Sequence, residues 1–217
     1  LPFVPLRDLP AVTYLIKYPN VVVVNAQVPI ASIKELIQYA KANPGKLSYA
    51  HPGTGSGQQL SVELFKMTVG VDIISVPYKG GGPAMVSVAG NETSLSFATP
   101  PSALPHVKTG KVRAIGQTGA KRSPALPDLP TVAEAGVPGY GVEGWVGLFA
   151  PAKTPEAALQ RMHQEVTKVL RMQEVKDLVL TAGSETVPTD TAETRQKIAA
   201  ETAMWAKVVK TAGIRIE

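Results

Sequence analysis

The segment Leu47 to Leu60, LSYAHPGTGSGQQL, constrains the fold more than any other stretch of this chain. Its apolar start fits a buried strand, and Leu60, Leu64 and Met67 then recur at helical spacing. Between strand and helix lie three glycines and Ser56, which is placed to cap the helix. A strand that turns so quickly into a helix is one βα unit, and the unit recurs. Val21 to Val24 reads as a strand buried on both faces, as in a parallel sheet. Ser32 and Glu35 form a capping box for a helix that Asn43-Pro44-Gly45 ends. Ile73 to Val76 and Thr93 to Phe97 read as further strands. Each is followed by a loop and a helix, the first taking Pro83 in its first turn and the second covering Ser102 to Lys108. Val112 to Gln117 is one more strand. The alternation predicts an α/β fold with a mainly parallel sheet.

The rhythm breaks at Gly119 to Pro130, where Pro124, Pro127 and Pro130 indicate an extended surface segment. Thr131 and Glu134 open a single helical turn, and Trp145 to Ala150 reads as another strand. From Pro151 onward the pattern is helical. One helix follows Thr154-Pro155, with Leu159, Met162, Val166 and Val169 on one face. A second covers Glu174 to Ala182, and a third Thr191 to Thr211. This last third of the chain shows no strand ladder of its own and is expected to cover a sheet built elsewhere.

Function is read from the loops. In an open parallel sheet, the loops at the carboxyl ends of the strands converge on one edge. A helix that starts there presents free backbone N–H groups and the positive end of its dipole, which suits an anion. The candidate ligand residues are His51, Gly53, Thr54, Gly55 and Ser56 in the first loop. Tyr78, Lys79 and Gly80 stand in the second, and Ala98 and Thr99 in the third. Enzyme chemistry finds little support. The order Gly53-Thr54-Gly55-Ser56-Gly57 puts serine in the wrong place for a nucleophile elbow, and no Gly-Lys pair completes a P-loop. Cysteine is absent, and His51, His106 and His163 lack metal-ligand spacing. No catalytic residue, metal site or cofactor is expected. The net charge of +5 is spread over scattered Lys and Arg, and aromatics make up 6%, so nucleic acid is not expected as a partner. No run approaches the ~20 apolar residues of a membrane span.

The motifs, in order, resemble a known family over nearly the whole chain. They are Glu35-Leu36-Ile37 with Asn43-Pro44-Gly45-Lys46-Leu47, Gly53-Thr54-Gly55-Ser56, Val76-Pro77-Tyr78-Lys79-Gly80, and Pro105-His106-Val107-Lys108. Leu129-Pro130-Thr131-Val132-Ala133-Glu134-Ala135-Gly136, Phe149-Ala150-Pro151 and Trp205-Ala206-Lys207-Val208-Val209 follow. Together they resemble Bug-type periplasmic solute-binding receptors of the tripartite tricarboxylate transporter family.

The resemblance implies a two-lobe periplasmic-binding-protein fold of type II-like architecture, with the first lobe incomplete in this chain. Residues 1–20 would be a first-lobe remnant and crossover, 21–139 the second lobe with the ligand loops, and 140–217 a crossover strand and first-lobe helices. It implies capture of a small carboxylate in the periplasm for membrane transporter subunits. It also implies that an N-terminal segment before Leu1 is missing. Apolar helix stripes left uncovered would then favour a homodimer or segment swap. The chain departs from the family pattern at three places: His51 where Ser is common, Gln59 where His is common, and Ala98-Thr99 where Asp or Asn is common. Without a carboxylate at Ala98 a ligand amine has no partner, which favours a plain carboxylate over an amino acid. Two other readings remain: an interaction-only lobe without solute, and a glycine-loop enzyme.

Overall fold

The computed structural model describes residues 5–215. In chain order the elements are α1 (Pro5–Asp8), β1 (Ala11–Pro19), β2 (Val21–Asn25), α2 (Ile33–Ala42), β3 (Ser48–His51), α3 (Gly57–Val69), β4 (Ile74–Pro77) and α4 (Gly81–Ala89). There follow β5 (Leu95–Ala98), α5 (Pro100–Lys108), β6 (Val112–Gln117), β7 (Glu143–Phe149), α6 (Glu156–Leu170), α7 (Gln173–Thr181), β8 (Glu185–Thr186) and α8 (Thr191–Thr211). They divide into two compact units. One takes the chain through Lys17 and Trp145–Trp205, and the other takes Tyr18–Gly144 with the chain from Ala206.

The Tyr18–Gly144 unit is an α/β layer structure around a five-stranded sheet of order β4-β3-β5-β2-β6. Val21 to Val24 are fully buried, as their composition demands. The expected mainly parallel sheet needs correction, however. β3 pairs parallel with β4 and β5, but β2 runs antiparallel to both β5 and β6. An all-apolar strand reports burial on both faces, and that requirement is the same in either direction. Ser32 caps α2 by accepting from Glu35 N–H at 3.2 Å, and Glu35 reaches back to Ala31 N–H at 2.7 Å. Ile33, Leu36 and Ala40 are the face that α2 buries. Phe65 of α3 meets Phe97 of β5 edge-on at 5.5 Å.

The proline-rich segment is not a plain surface strap. Ser123 and Leu126 are buried, because Gln117 at the end of β6 organises the turn around its amide. Gln117 Nε2 donates to Leu126 O and Leu129 O at 2.8 Å each, and its Oε1 accepts from Ser123 N–H at 2.9 Å. Thr131 and Glu134 form their capping pair, with bonds of 3.0 and 2.8 Å, around a turn that never becomes a helix. Tyr140 closes the segment onto α3, donating to Ser61 O at 2.8 Å.

In the other unit, β7-β1-β8 form a three-stranded sheet. β1 has no counterpart in the sequence reading, and β8 corrects the expectation that the last third lacks a ladder. Ile16 pairs with Thr186 and Lys17 with Glu185, antiparallel. Thr13 fixes this join by donating to Thr189 O at 2.8 Å and accepting Thr189 N–H at 3.1 Å. Trp145 stacks on Tyr14 at 4.6 Å and donates to Glu201 at 2.7 Å, so it is a packing residue with its polar edge satisfied. No helix among the described residues is long and apolar enough to cross a membrane.

The β6–α2 contact sets a steric limit. A Cβ on Gly116 would stand 2.9 Å from Ile33 Cγ1 and 3.2 Å from Pro130 O. Gly116→Ala is therefore expected to destabilise by about 1–3 kcal/mol through overpacking. A lowered urea midpoint at unchanged slope checks this, and an unchanged midpoint would rule it out.

Candidate functional site

The parallel trio β4-β3-β5 positions the site. His51 and Pro77 are register partners, and Ala98 ends the neighbouring strand on the other side, so three loops leave the sheet at one edge. Each loop leads into a helix. Ser56 is the N-cap of α3, Gly80 of α4 and Thr99 of α5. The positive ends of three helix dipoles thus gather at the same edge.

The loops are zipped to one another by backbone bonds. Tyr78 N–H donates to His51 O at 2.8 Å, and Gly80 N–H to Pro52 O at 3.1 Å. Gly53, Gly55 and Gly80 hold φ of 140°, 79° and 115°, which L side chains rarely adopt. Gly81 lies so close to α5 that a Cβ there would stand 3.1 Å from Ser102 Oγ. A small depression between the helix starts is lined by Pro52, Gln58, Gly81, Ala98, Thr99 and Ser102, among others, with no Asp or Glu in its wall.

The donors available to an anion follow from position. Gly57 and Gln58 in α3, and Gly81 and Gly82 in α4, precede the first intrahelical donors, Leu60 N–H and Ala84 N–H, so their own N–H groups have no acceptor within their helices. α5 begins Pro100-Pro101 and lacks those two donors altogether. It contributes its dipole and two hydroxyls instead, Thr99 donating to Ser102 at 3.0 Å.

The candidate residues divide. Gly53, Thr54, Gly55, Ser56, Tyr78, Lys79, Gly80, Ala98 and Thr99 all stand at this edge, with Thr54 and Lys79 exposed. His51 does not present its ring there. It ends β3 and is 1% exposed, with Nδ1 2.9 Å from Gly53 O and Nε2 2.9 Å from Ser75 Oγ. Since a carbonyl only accepts, Nδ1 carries the proton and Nε2 takes the serine hydrogen in the neutral ring. The side chain braces the loop from behind. Ser56 Oγ accepts from Gln59 N–H at 3.4 Å, a long cap bond.

Sequence reasoning passed over Gln58, Ser102 and Asn20. The first two are first-turn helix positions, findable by asking which residues follow each loop. Asn20 carries no such signal, because it arrives on an antiparallel strand. It immediately precedes Val21, whose register partners are Ala98 of β5 and Gln117 of β6. Its N–H donates to Thr118 Oγ1 at 2.8 Å, while its buried side-chain oxygen has no hydrogen-bond partner among the described residues.

Burial pushes the His51 imidazole below its ordinary value, against a smaller opposing pull from the Gly53 carbonyl. The unfolded chain takes up a proton on this ring near pH ~6.5, whereas the folded chain resists it. The brace therefore contributes its stability above that value and loses it as pH falls through the lower folded value. The thermal midpoint of wild type is expected to fall more between pH 7.5 and pH 5 than that of His51→Gln. Parallel pH profiles would contradict this.

Comparison with known proteins adds the context. A family model described as tripartite tricarboxylate transporter family receptor (TctC) matches residues 1–214. The chain is 31% identical over 217 residues to protein BugT of Bordetella pertussis, covering 100% of this chain and 67% of BugT. R. palustris Rpa4515, solved with adipate, superposes with a TM-score of 0.92 at 35% identity, over 98% of this chain and 71% of that one. MatC (Rpa3494) from Rhodopseudomonas palustris, solved with bound malate, superposes with a TM-score of 0.86 at 29% identity, over 95% and 71%. The chain spans about half to two thirds of the length of the curated relatives it matches.

Proposed function

This chain belongs to the tripartite tricarboxylate transporter family of receptors, with the α/β fold of type II-like periplasmic binding proteins, and from that premise we propose that it captures a small carboxylate in the periplasm for a membrane transporter. Receptors, not enzymes, make up the family. The observation that carries the proposal is the gathering of three helix starts at one sheet edge whose depression holds no Asp or Glu. Such a site stabilises a carboxylate with dipoles and N–H groups and needs no buried counter-ion.

In this reading Gly53, Thr54, Gly55, Ser56, Tyr78, Lys79, Gly80, Ala98 and Thr99 form the wall that meets the ligand. His51 acts through the loop. The ligand is held and released unchanged, which needs neither nucleophile nor base. Adipate and malate, the ligands of the two solved relatives, are the first compounds to try.

Calorimetric titration of this chain with adipate and malate is expected to give saturable binding, and titration with putrescine none. Binding of the diamine, or turnover of either acid, would overturn the proposal. Gly55→Val forces a β-branched residue into positive φ and is expected to weaken adipate binding at least ten-fold. Ser56→Ala removes only a long cap bond and is expected to cost about 0.5–1 kcal/mol of stability, with a smaller loss of affinity. Equal affinity in wild type and Gly55→Val would show that the loop is a turn and nothing more.

The proposed self-association draws on a second observation. α6, α7 and the N-cap between them expose Val169 at 48%, Leu178 at 70% and Met172 at 49%. The same unit has an apolar groove lined by Leu15, Leu148, Val166 and Leu170. Light scattering is expected to show mass rising with concentration, and Leu178→Glu to reduce it. A constant monomer mass would end this part of the proposal.

A further inference from the structure

Behind the glycine loop lies a buried polar network that the proposed binding role does not use directly. Lys66 Nζ and the Tyr49 hydroxyl meet the same Glu63 oxygen, at 2.9 and 2.6 Å. Lys66 and Glu63 side chains are 17% and 12% exposed, and Tyr49 is fully buried. Lys66 also lies 5.7 Å from the centre of the Tyr49 ring. The Ser75 and Gln59 side chains both bear on the Tyr49 hydroxyl as well. Gln59 is buried in turn, and its Oε1 accepts Gly55 N–H at 2.7 Å.

The direction of every bond in this chain follows from one charge. Glu63, paired with the Lys66 ammonium, is a carboxylate and only accepts. Tyr49 has a single hydroxyl hydrogen and gives it to Glu63. Toward Gln59 the phenol oxygen is therefore an acceptor, so the side of the amide facing it is the NH2. The amide's other end, its carbonyl oxygen, then faces Gly55 N–H. An amide turned the other way would set NH2 against the Gly55 N–H, donor against donor.

We propose that Gln59 is a positioning residue for the ligand loop, oriented by the Lys66–Glu63–Tyr49 relay so that it holds Gly55 N–H inward. The loop is thereby fixed at two points, Gly53 O by His51 and Gly55 N–H by Gln59. The relay selects which donors an anion meets. Gly55 N–H is withdrawn, and the first-turn N–H groups of α3 and α4 remain. The affinity part of this inference rests on the carboxylate reading; the structural part does not.

Two measurements test it on the full chain. The first is amide hydrogen exchange by NMR at Gly55, with Gly70 as internal control, because Gly70 N–H is bonded to Lys66 O at 2.9 Å within α3. In Gln59→Leu, Gly55 is expected to exchange at least ten-fold faster while Gly70 is unchanged. In Tyr49→Phe, which keeps the ring, Gly55 is expected to exchange three- to ten-fold faster. The second is calorimetry with adipate, where Tyr49→Phe is expected to raise Kd at least three-fold. Unchanged Gly55 exchange in Gln59→Leu, or Gly55 and Gly70 accelerating together, overturns the proposal. Faster Gly55 exchange with unchanged adipate Kd in Tyr49→Phe overturns the positioning role. Failure of wild type to bind adipate counts against the carboxylate reading alone, and Gly55 exchange still decides the relay.

Discussion

The two-sided burial of β2 is the constraint on which its unit depends. Val21 to Val24 have no exposed surface. Each buried valine contributes about 1.5 kcal/mol or more, provided both faces are covered. Covering one face draws on Met85, Val88 and Ala103, which bring α4 and α5 against the sheet. Hydrogen bonding on both edges brings β5 and β6 alongside. Once β5 is fixed next to β2, its neighbour β3 and then β4 take their places in parallel, and the three loops have nowhere to go but one edge.

That edge is electrostatically economical. Three helix starts supply positive potential without bringing a buried cation, so no large desolvation cost attaches to that edge. The nearby Lys79 is exposed and keeps its hydration. Two of the three helices retain first-turn backbone donors. The third begins with Pro100-Pro101 and offers hydroxyls in their place. The resulting site is shaped by backbone placement more than by charged side chains.

Rigidity comes from behind the loop. Glycines with positive φ make the chain path possible but do nothing to hold it, since glycine has the widest conformational freedom. Holding falls to side chains that enter from β3 and α3. His51 and Gln59 each bond to a loop backbone group, and each is anchored further back, by Ser75 and by Tyr49.

What the sequence determined by itself was local. Ser32, Ser56 and the Thr131–Glu134 pair cap where their spacing says, because a cap needs only residues three apart. The valine run is buried, and α8 covers Thr191–Thr211 as its periodicity indicates. The α/β class and the candidate loops were legible for the same reason: strand, glycine turn and helix are consecutive in the chain. Tertiary structure decided everything that required knowing a distant partner. The antiparallel direction of β2 is set by pairing with residues 71–96 positions away. β1 lies between β7 and β8, and β8 exists as a strand only because it meets β1 across the chain. The inward turn of His51 depends on Ser75, and the arrival of Asn20 beside the loop edge on Thr118. A side chain's direction is a matter of which hydrogen-bond partner and which burial win at that point in space, and neither is encoded in its immediate neighbours.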